Sequence, residues 1–144
     1  MKKGNFFKIG NSLLKVVGLS ICLAAIVPGC SNSSNSTSAT TYRIESGAVS
    51  DTHYNAAANM ISSYGSNITY SNIKTIRDYL YKNTSNHKTY TGVTIDQIRY
   101  TFLDELGLTK TRADAEIAKL EALGNDIALF DFSSSKVWVY VERE

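Results

Sequence analysis

The chain has 144 residues, with 15 Lys and Arg against 13 Asp and Glu, two His, two Cys and a single Pro. Lys2, Lys3, Lys8 and Lys15 fall in the first 29 residues, which carry no acid, so the remainder holds 11 basic against 13 acidic side chains and a formal charge of −2. A slightly acidic domain lacks the positive face of a nucleic-acid binder, which excludes that class of partner, and with Cys22 and Cys30 both early in the chain no cysteine remains in its body for thiol or soft-metal chemistry.

The opening segment has the three parts of an export signal: a basic start (Lys2, Lys3, Lys8, Lys15), an apolar run from Val16 to Val27, and a small residue before a cut. The run is shorter than the ~20 apolar residues a spanning helix needs, and Pro28 and Gly29 break it. Val27, Pro28, Gly29, Cys30 resembles the lipobox of bacterial lipoprotein precursors, with an aliphatic residue at −3, a small one at −1 and the modified cysteine at +1. Pro28 departs from the small residue usual at −2. The resemblance implies lipidation of the Cys30 thiol as a diacylglyceryl thioether, cleavage between Gly29 and Cys30, and a protein held by palmitate-type chains on the outer side of a cell membrane or outer membrane. Two or more acyl chains hold a protein stably where one does not. An ordinary signal peptide or a retained anchor are the alternatives. Ser31, at +2, is compatible with outer-membrane sorting in bacteria that use that signal.

Three segments follow: residues 1–29 as signal peptide, 30–41 as lipidated cysteine and tether, and 42–144 as one globular domain. Ser31 to Thr41 reads SNSSNSTSATT, without charge or large apolar groups, and cannot bury enough surface to order itself. As a flexible coil it would stand the domain roughly 20 Å off the bilayer. Asn35, Ser36, Thr37 fits the glycan acceptor pattern, a match expected by chance in such a tract. The 115 residues left after removal of the first 29 can bury about two-thirds of their unfolded surface, enough for a core without disulfides.

In the domain, Tyr42, Arg43, Ile44, Glu45 alternates as a half-buried strand, with Gly47 as its expected end. Tyr54, Ala57, Ala58, Ile61 and Tyr64 then fall at helical spacing, between Ser50 as N-cap and Gly65 as stop. Ile73, Ile76 and Leu80 predict a second helix from Ser71 or Asn72, followed by a polar loop from Asn83 to Gly92. Thr94, Ile95, Asp96, Gln97 has capping-box form and leads a third helix with Ile95, Ile98, Phe102 and Leu106 inward, ended by Gly107. A fourth helix from Thr111 to Leu123 carries Ala113, Ile117 and Leu120 inward and stops at Gly124. Ile127 to Phe132 and Val137 to Glu142, around a Ser-rich turn, read as a hairpin apolar on both faces. The expected fold is α+β: four helices with a small antiparallel sheet of an N-terminal strand plus the C-terminal hairpin. The second half has a winged-helix-like outline, but Lys110, Arg112 and Lys119 are balanced by Asp114, Glu116 and Glu121, so its reading helix has no basic stripe.

Chemistry-bearing residues are sparse. His53 with Asp51 and His87 among Thr84, Ser85, Asn86 and Lys88 read as surface histidines. Asp104 and Glu105 are adjacent on a helix and point about 100° apart, so they cannot share one ligand. No calcium-loop, phosphate-loop or nucleophile-elbow pattern is present, and the reading carries no catalytic residue, metal or cofactor. The unusual feature is aromatic: Phe130, Phe132, Trp138 and Tyr140 gather in the hairpin, and if Val137, Val139 and Val141 face the core, Trp138 and Tyr140 make an outward candidate binding face. The alternative places those aromatics in the core.

The lipobox, the Ser and Asn tether and a domain near a hundred residues together resemble the small surface lipoproteins that spirochaetes and similar bacteria carry in sets. The expectation is a lipid-anchored extracytoplasmic envelope protein, not an enzyme, that acts by binding an envelope or extracellular macromolecule. The alternatives are an accessory or inhibitory subunit of an envelope assembly, and an envelope hydrolase in which His53 or His87 meets a carboxylate and a hydroxyl.

Overall fold

A computed structural model describes residues 39–144. The element order is β1 (Tyr42–Val49), α1 (Asp51–Tyr64), α2 (Tyr70–Lys82), β2 (His87–Val93), α3 (Ile95–Tyr100) continued by a π-helical turn (Thr101–Glu105), α4 (Lys110–Leu123), β3 (Asn125–Phe132) and β4 (Ser135–Arg143). The fold is α+β, with one antiparallel sheet in the order β2-β1-β4-β3.

Local chemistry accounts for the helix ends. Ser50, Thr69, Thr94 and Thr109 cap the four helices, each accepting a backbone N–H three residues on. Thr94 and Gln97 close a reciprocal capping box, as their spacing predicts, and so do Thr69 and Asn72. The second helix therefore begins at Tyr70, ahead of the predicted Ser71 or Asn72. Gly124 takes the left-handed conformation just past α4, where a side chain would be strained.

The sheet is buried on both faces. Val137, Val139 and Val141 of β4 pack with Ala128, Phe130 and Phe132 of β3 against Ile98, Phe102, Leu106, Ala113, Ile117 and Leu120 of the α3–α4 layer. Trp138 and Tyr140, with Ile127, face Ala57, Ile73, Ile76 and Leu80 of the α1–α2 layer. The charged face of β1 is covered as well: Glu45 lies between Arg43 and Arg77, with Arg77 Nε 2.5 Å from Glu45 Oε1 and Nη2 2.8 Å from Oε2. Helix, helix, hairpin is the order of the second half, but β4 is an inner strand between β1 and β3, so the hairpin is part of the sheet's body rather than a projecting wing.

Two segments differ from their sequence reading. Residues 83–92 were expected to be a polar loop, yet His87–Val93 is an edge strand. Its side chains are mostly exposed and show no apolar alternation; backbone pairing to β1, from Gly47↔His87 to Ile44↔Tyr90, holds it. Between Ile44↔Tyr90 and Tyr42↔Val93 the register slips by one residue, and Gly92, at φ 69°, absorbs the bulge. Gly47, expected to end β1, lies inside it opposite Trp138. The missing side chain there makes room: a Cβ at Gly47 would lie 2.5 Å from Thr84 Cγ2 and 3.2 Å from Trp138 Nε1. In that space Trp138 Nε1 donates a 2.8 Å hydrogen bond to Thr84 Oγ1, and the wholly buried indole is satisfied.

Gly47→Ala is expected to lower unfolding free energy by about 1–3 kcal/mol through overpacking, read from denaturant midpoints. Adding Thr84→Ser, which removes the clashing methyl and keeps the hydroxyl, recovers part of that loss; additive losses in the double variant would show that the contact is not the cause.

A candidate binding groove at the hairpin end

Strand register gives the domain two distinct ends. At one, Tyr42 pairs with both Val93 and Arg143, and the C-terminal Glu144 donates its N–H to Thr41 O at 2.9 Å. At the other, Val49 pairs with Lys136 and the β3–β4 turn closes on Phe132 opposite Ser135. Along β1 the two ends are roughly 23 Å apart.

At the hairpin end lies an open groove of about 510 Å³, lined by Tyr54, Leu106, Leu108, Arg112 and residues 129–133 of the hairpin. Tyr54 comes from the first turns of α1, which starts where β1 finishes. Leu106 and Leu108 follow the π-helical turn, where Leu106 N–H bonds Thr101 O at 2.8 Å and Leu108 N–H bonds Phe102 O at 2.9 Å. Arg112 stands on the first turn of α4 with its side chain 46% exposed, its Nε 3.0 Å from Glu116 Oε2 and its guanidinium carbon 5.9 Å from the Phe130 ring centroid. Across the groove, Asp131 pairs with Lys136 Nζ at 2.5 Å.

Behind Arg112 is a buried acid pair. Asp126 is 2% exposed, and neither of its carboxyl oxygens has a hydrogen bond among the described residues. Lys119 Nζ approaches both acids, 3.2 Å from Asp126 Oδ1 and 3.4 Å from Glu116 Oε1, ion-pair contacts without hydrogen-bond geometry. Burial, and then the neighbouring Glu116 carboxylate, push the Asp126 carboxyl well above the usual carboxylate range. Burial opposes ionisation of Glu116 too, but the contacts with Asp126, Lys119 and Arg112 outweigh it and hold Glu116 below its ordinary value. The two shifts oppose each other: Asp126 holds its proton more tightly than a free carboxyl and Glu116 less tightly, and Glu116 is the member that pairs with Arg112.

The four hairpin aromatics do not form the outward face considered from sequence. Trp138 and Tyr140 are wholly buried under α1 and α2, while Phe130 and Phe132, at 5% and 7% exposure, lie on the opposite face of the sheet. Register explains the split, since Leu129 pairs with Trp138 and Phe130 with Val137, and residues paired across strands share a face. The Tyr140 hydroxyl is spent internally, accepting from Asn125 Nδ2 at 3.2 Å and donating to Glu142 Oε1 at 2.9 Å. Phe130 and Phe132 contribute to the groove only as its lining.

His53 Nδ1 lies 2.7 Å from the Tyr79 hydroxyl, and the His87 ring stacks on Tyr81 with centroids 3.7 Å apart. In both contacts the neighbour is a tyrosine and not the carboxylate that a catalytic base needs as its orienter. Among the described residues no group of three or more His, Cys, Asp or Glu is placed to hold a metal ion. Gly29 and Cys30 lie outside the described residues.

Sequence reading missed Leu108, Leu129 and Arg112 as groove residues and Asp126 with Glu116 as a buried pair. Asp126 follows Gly124 and Asn125 and reads as turn chemistry, and Arg112 and Glu116 read as a solvated helical pair.

The pH dependence of stability follows from the pair. Folded Asp126 keeps its proton where the unfolded chain has lost it, so its contribution falls as pH rises above the ordinary carboxylate range. Glu116 has the opposite sign and loses its contribution as pH falls below that range. Thermal unfolding of Asp126→Asn should therefore show a higher midpoint than the parent at pH 8 and lose that advantage near pH 4; parallel pH profiles would rule out a protonated Asp126. Comparison with protein-family models, with curated proteins and with solved structures finds no match for this chain.

Proposed function

We propose that this is a lipid-anchored extracytoplasmic protein of the bacterial envelope that acts by binding a macromolecule at the end of its domain remote from the membrane. The observation that carries the reading is the polarity of the fold. The chain enters the domain at Tyr42, beside the C-terminus, whereas the groove lies at the far end of the sheet. A lipid on Cys30, 12 positions before Tyr42, would tether the domain by the opposite end and leave the groove accessible away from the bilayer. The half-exposed Arg112, set beside an apolar groove, supplies the mixture of apolar lining and a few convergent polar groups that binding sites use.

Two measurements test the two halves of this proposal. Metabolic labelling with a palmitate analogue should mark the protein, and Cys30→Ala should lose the label and leave the membrane fraction; a variant that keeps its label overturns the anchor. A photo-crosslinking residue at Ser133, at the groove, should give adducts with a macromolecule on intact cells, and the same residue at Glu144, at the opposite end beside Thr41, should not. Equal yields at both positions overturn the claim that the remote end is the binding end.

A further inference from the structure

Strand β3 is an edge strand, and its two halves are treated differently. Asn125 to Ala128 are at most 3% exposed, whereas Leu129 is half-buried and Asp131 exposed. The groove touches Leu129 on one face of the sheet and Phe130, Phe132, Leu106 and Leu108 on the other, with Tyr54 from the first turn of α1 beside it. Lined by Leu129 to Phe132 as well as by the turn residue Ser133, the groove meets the second half of this edge strand and its closing turn.

The register identifies which backbone groups face it. The hairpin closes on Phe132 and Ser135 across the two turn residues Ser133 and Ser134, and a two-residue turn closes on a pair that exchanges both hydrogen bonds. Such pairs recur at every second residue, at Phe130↔Val137 and Ala128↔Val139. Leu129 and Asp131 occupy the alternate positions, so their N–H and C=O groups point away from β4, and no described strand pairs with them. An unpaired strand edge is a template for another strand.

We infer that the groove takes an extended segment of a partner protein as a fifth strand beside β3, with apolar side chains at alternate positions and one acidic side chain set against Arg112. Two features select this occupant. The guanidinium is paired through its Nε with Glu116, while its Nη groups make no hydrogen bond among the described residues, so the groove presents charge-assisted N–H donors. Tyr54 also lines the groove together with Leu106 and Leu108, and the groove's volume of about 510 Å³ is that of a short extended segment rather than of a second folded domain. Leu129 and Asp131 would supply main-chain hydrogen bonds, and the apolar walls on the two faces would receive alternate side chains.

This inference rests on the binding half of the proposed function and is independent of the lipid anchor. The probe is a capped eight-residue peptide in which valines alternate with threonines and one threonine is replaced by glutamate. It is titrated into the isotope-labelled full-length chain in detergent micelles, with amide shifts and hydrogen exchange read by NMR. The expected result is saturable shifts with about tenfold slower exchange at the Leu129 and Asp131 amides. A peptide N-methylated on its pairing edge should not bind. Changing the peptide glutamate to glutamine, or the protein by Arg112→Gln, should each weaken binding about fivefold, and the two together no further. Asp131→Pro removes an outward N–H from an edge position that tolerates proline, and should abolish binding while the rest of the spectrum is unchanged.

Equal binding of the N-methylated peptide overturns strand pairing, and so does the absence of any saturable shift. Protection of Leu129 and Asp131 that rises with protein concentration and without peptide overturns it in favour of a second copy. Peptide-induced shifts at Tyr54, Leu106 and Leu108 without slowed exchange at the edge also overturn it, but leave the binding reading standing.

Discussion

A strand with large apolar side chains on both faces has to be covered twice, and β4 imposes that requirement on the whole domain. Its valines need one helical layer and its Trp138 and Tyr140 need another, so α3 and α4 pack on one side and α1 and α2 on the other. Strand β1 completes β4 on its open side and sets Tyr42 opposite Arg143. The indole is the largest wholly buried side chain, and it is accommodated only because Gly47 has no Cβ and Thr84 offers a hydroxyl. Those two residues are distant in sequence and are brought together by the covering of β4.

Burial on both faces also decides how charge is handled. Glu45, on what would be the solvent side of a one-sided sheet, is desolvated under α2 and compensated by Arg43 and Arg77. On the opposite face Asp126 is placed under α4 near the sheet edge, beside Glu116 and Lys119. Removing charges from water is costly unless each is paired or its ionisation is disfavoured, and these two sites show the two remedies: a carboxylate between two guanidiniums, and an acid whose carboxyl is pushed by burial well above the usual range. The second has a structural consequence, because Glu116 fixes Arg112 at the groove.

With four strands and four helices, cover is not uniform. Strand β2 is an edge made of exposed, polar side chains, and such an edge is poorly suited to apolar association. Strand β3 is an apolar edge, sealed over its first half and open over its second, where the link between α3 and α4 gives way to the groove. In the proposed orientation the end of the sheet at Tyr42 and Arg143 lies toward the membrane, and the open edge lies at the other end.

Local signals in the sequence determined the elements whose causes are local. Ser50, the Thr94 to Gln97 box and Gly124 mark helix ends because capping uses side chains within three residues, and the two-sided apolar pattern of residues 127–141 marks a covered hairpin. The start at Tyr70 was equally local, but Asn72 in place of Glu or Gln at the third position made that capping box harder to recognise. Tertiary structure alone decided the rest. Strand β2 has no apolar period and exists through backbone bonds to β1; Gly47 reads as a stop until Trp138 is placed opposite it. Which face of the hairpin is outward has no local answer, since both helical layers contribute cover. The groove is assembled from α1, the link between α3 and α4, the start of α4 and the end of β3, segments up to about eighty positions apart in the chain. No window of sequence contains such a site, because what defines it is the place where the cover stops.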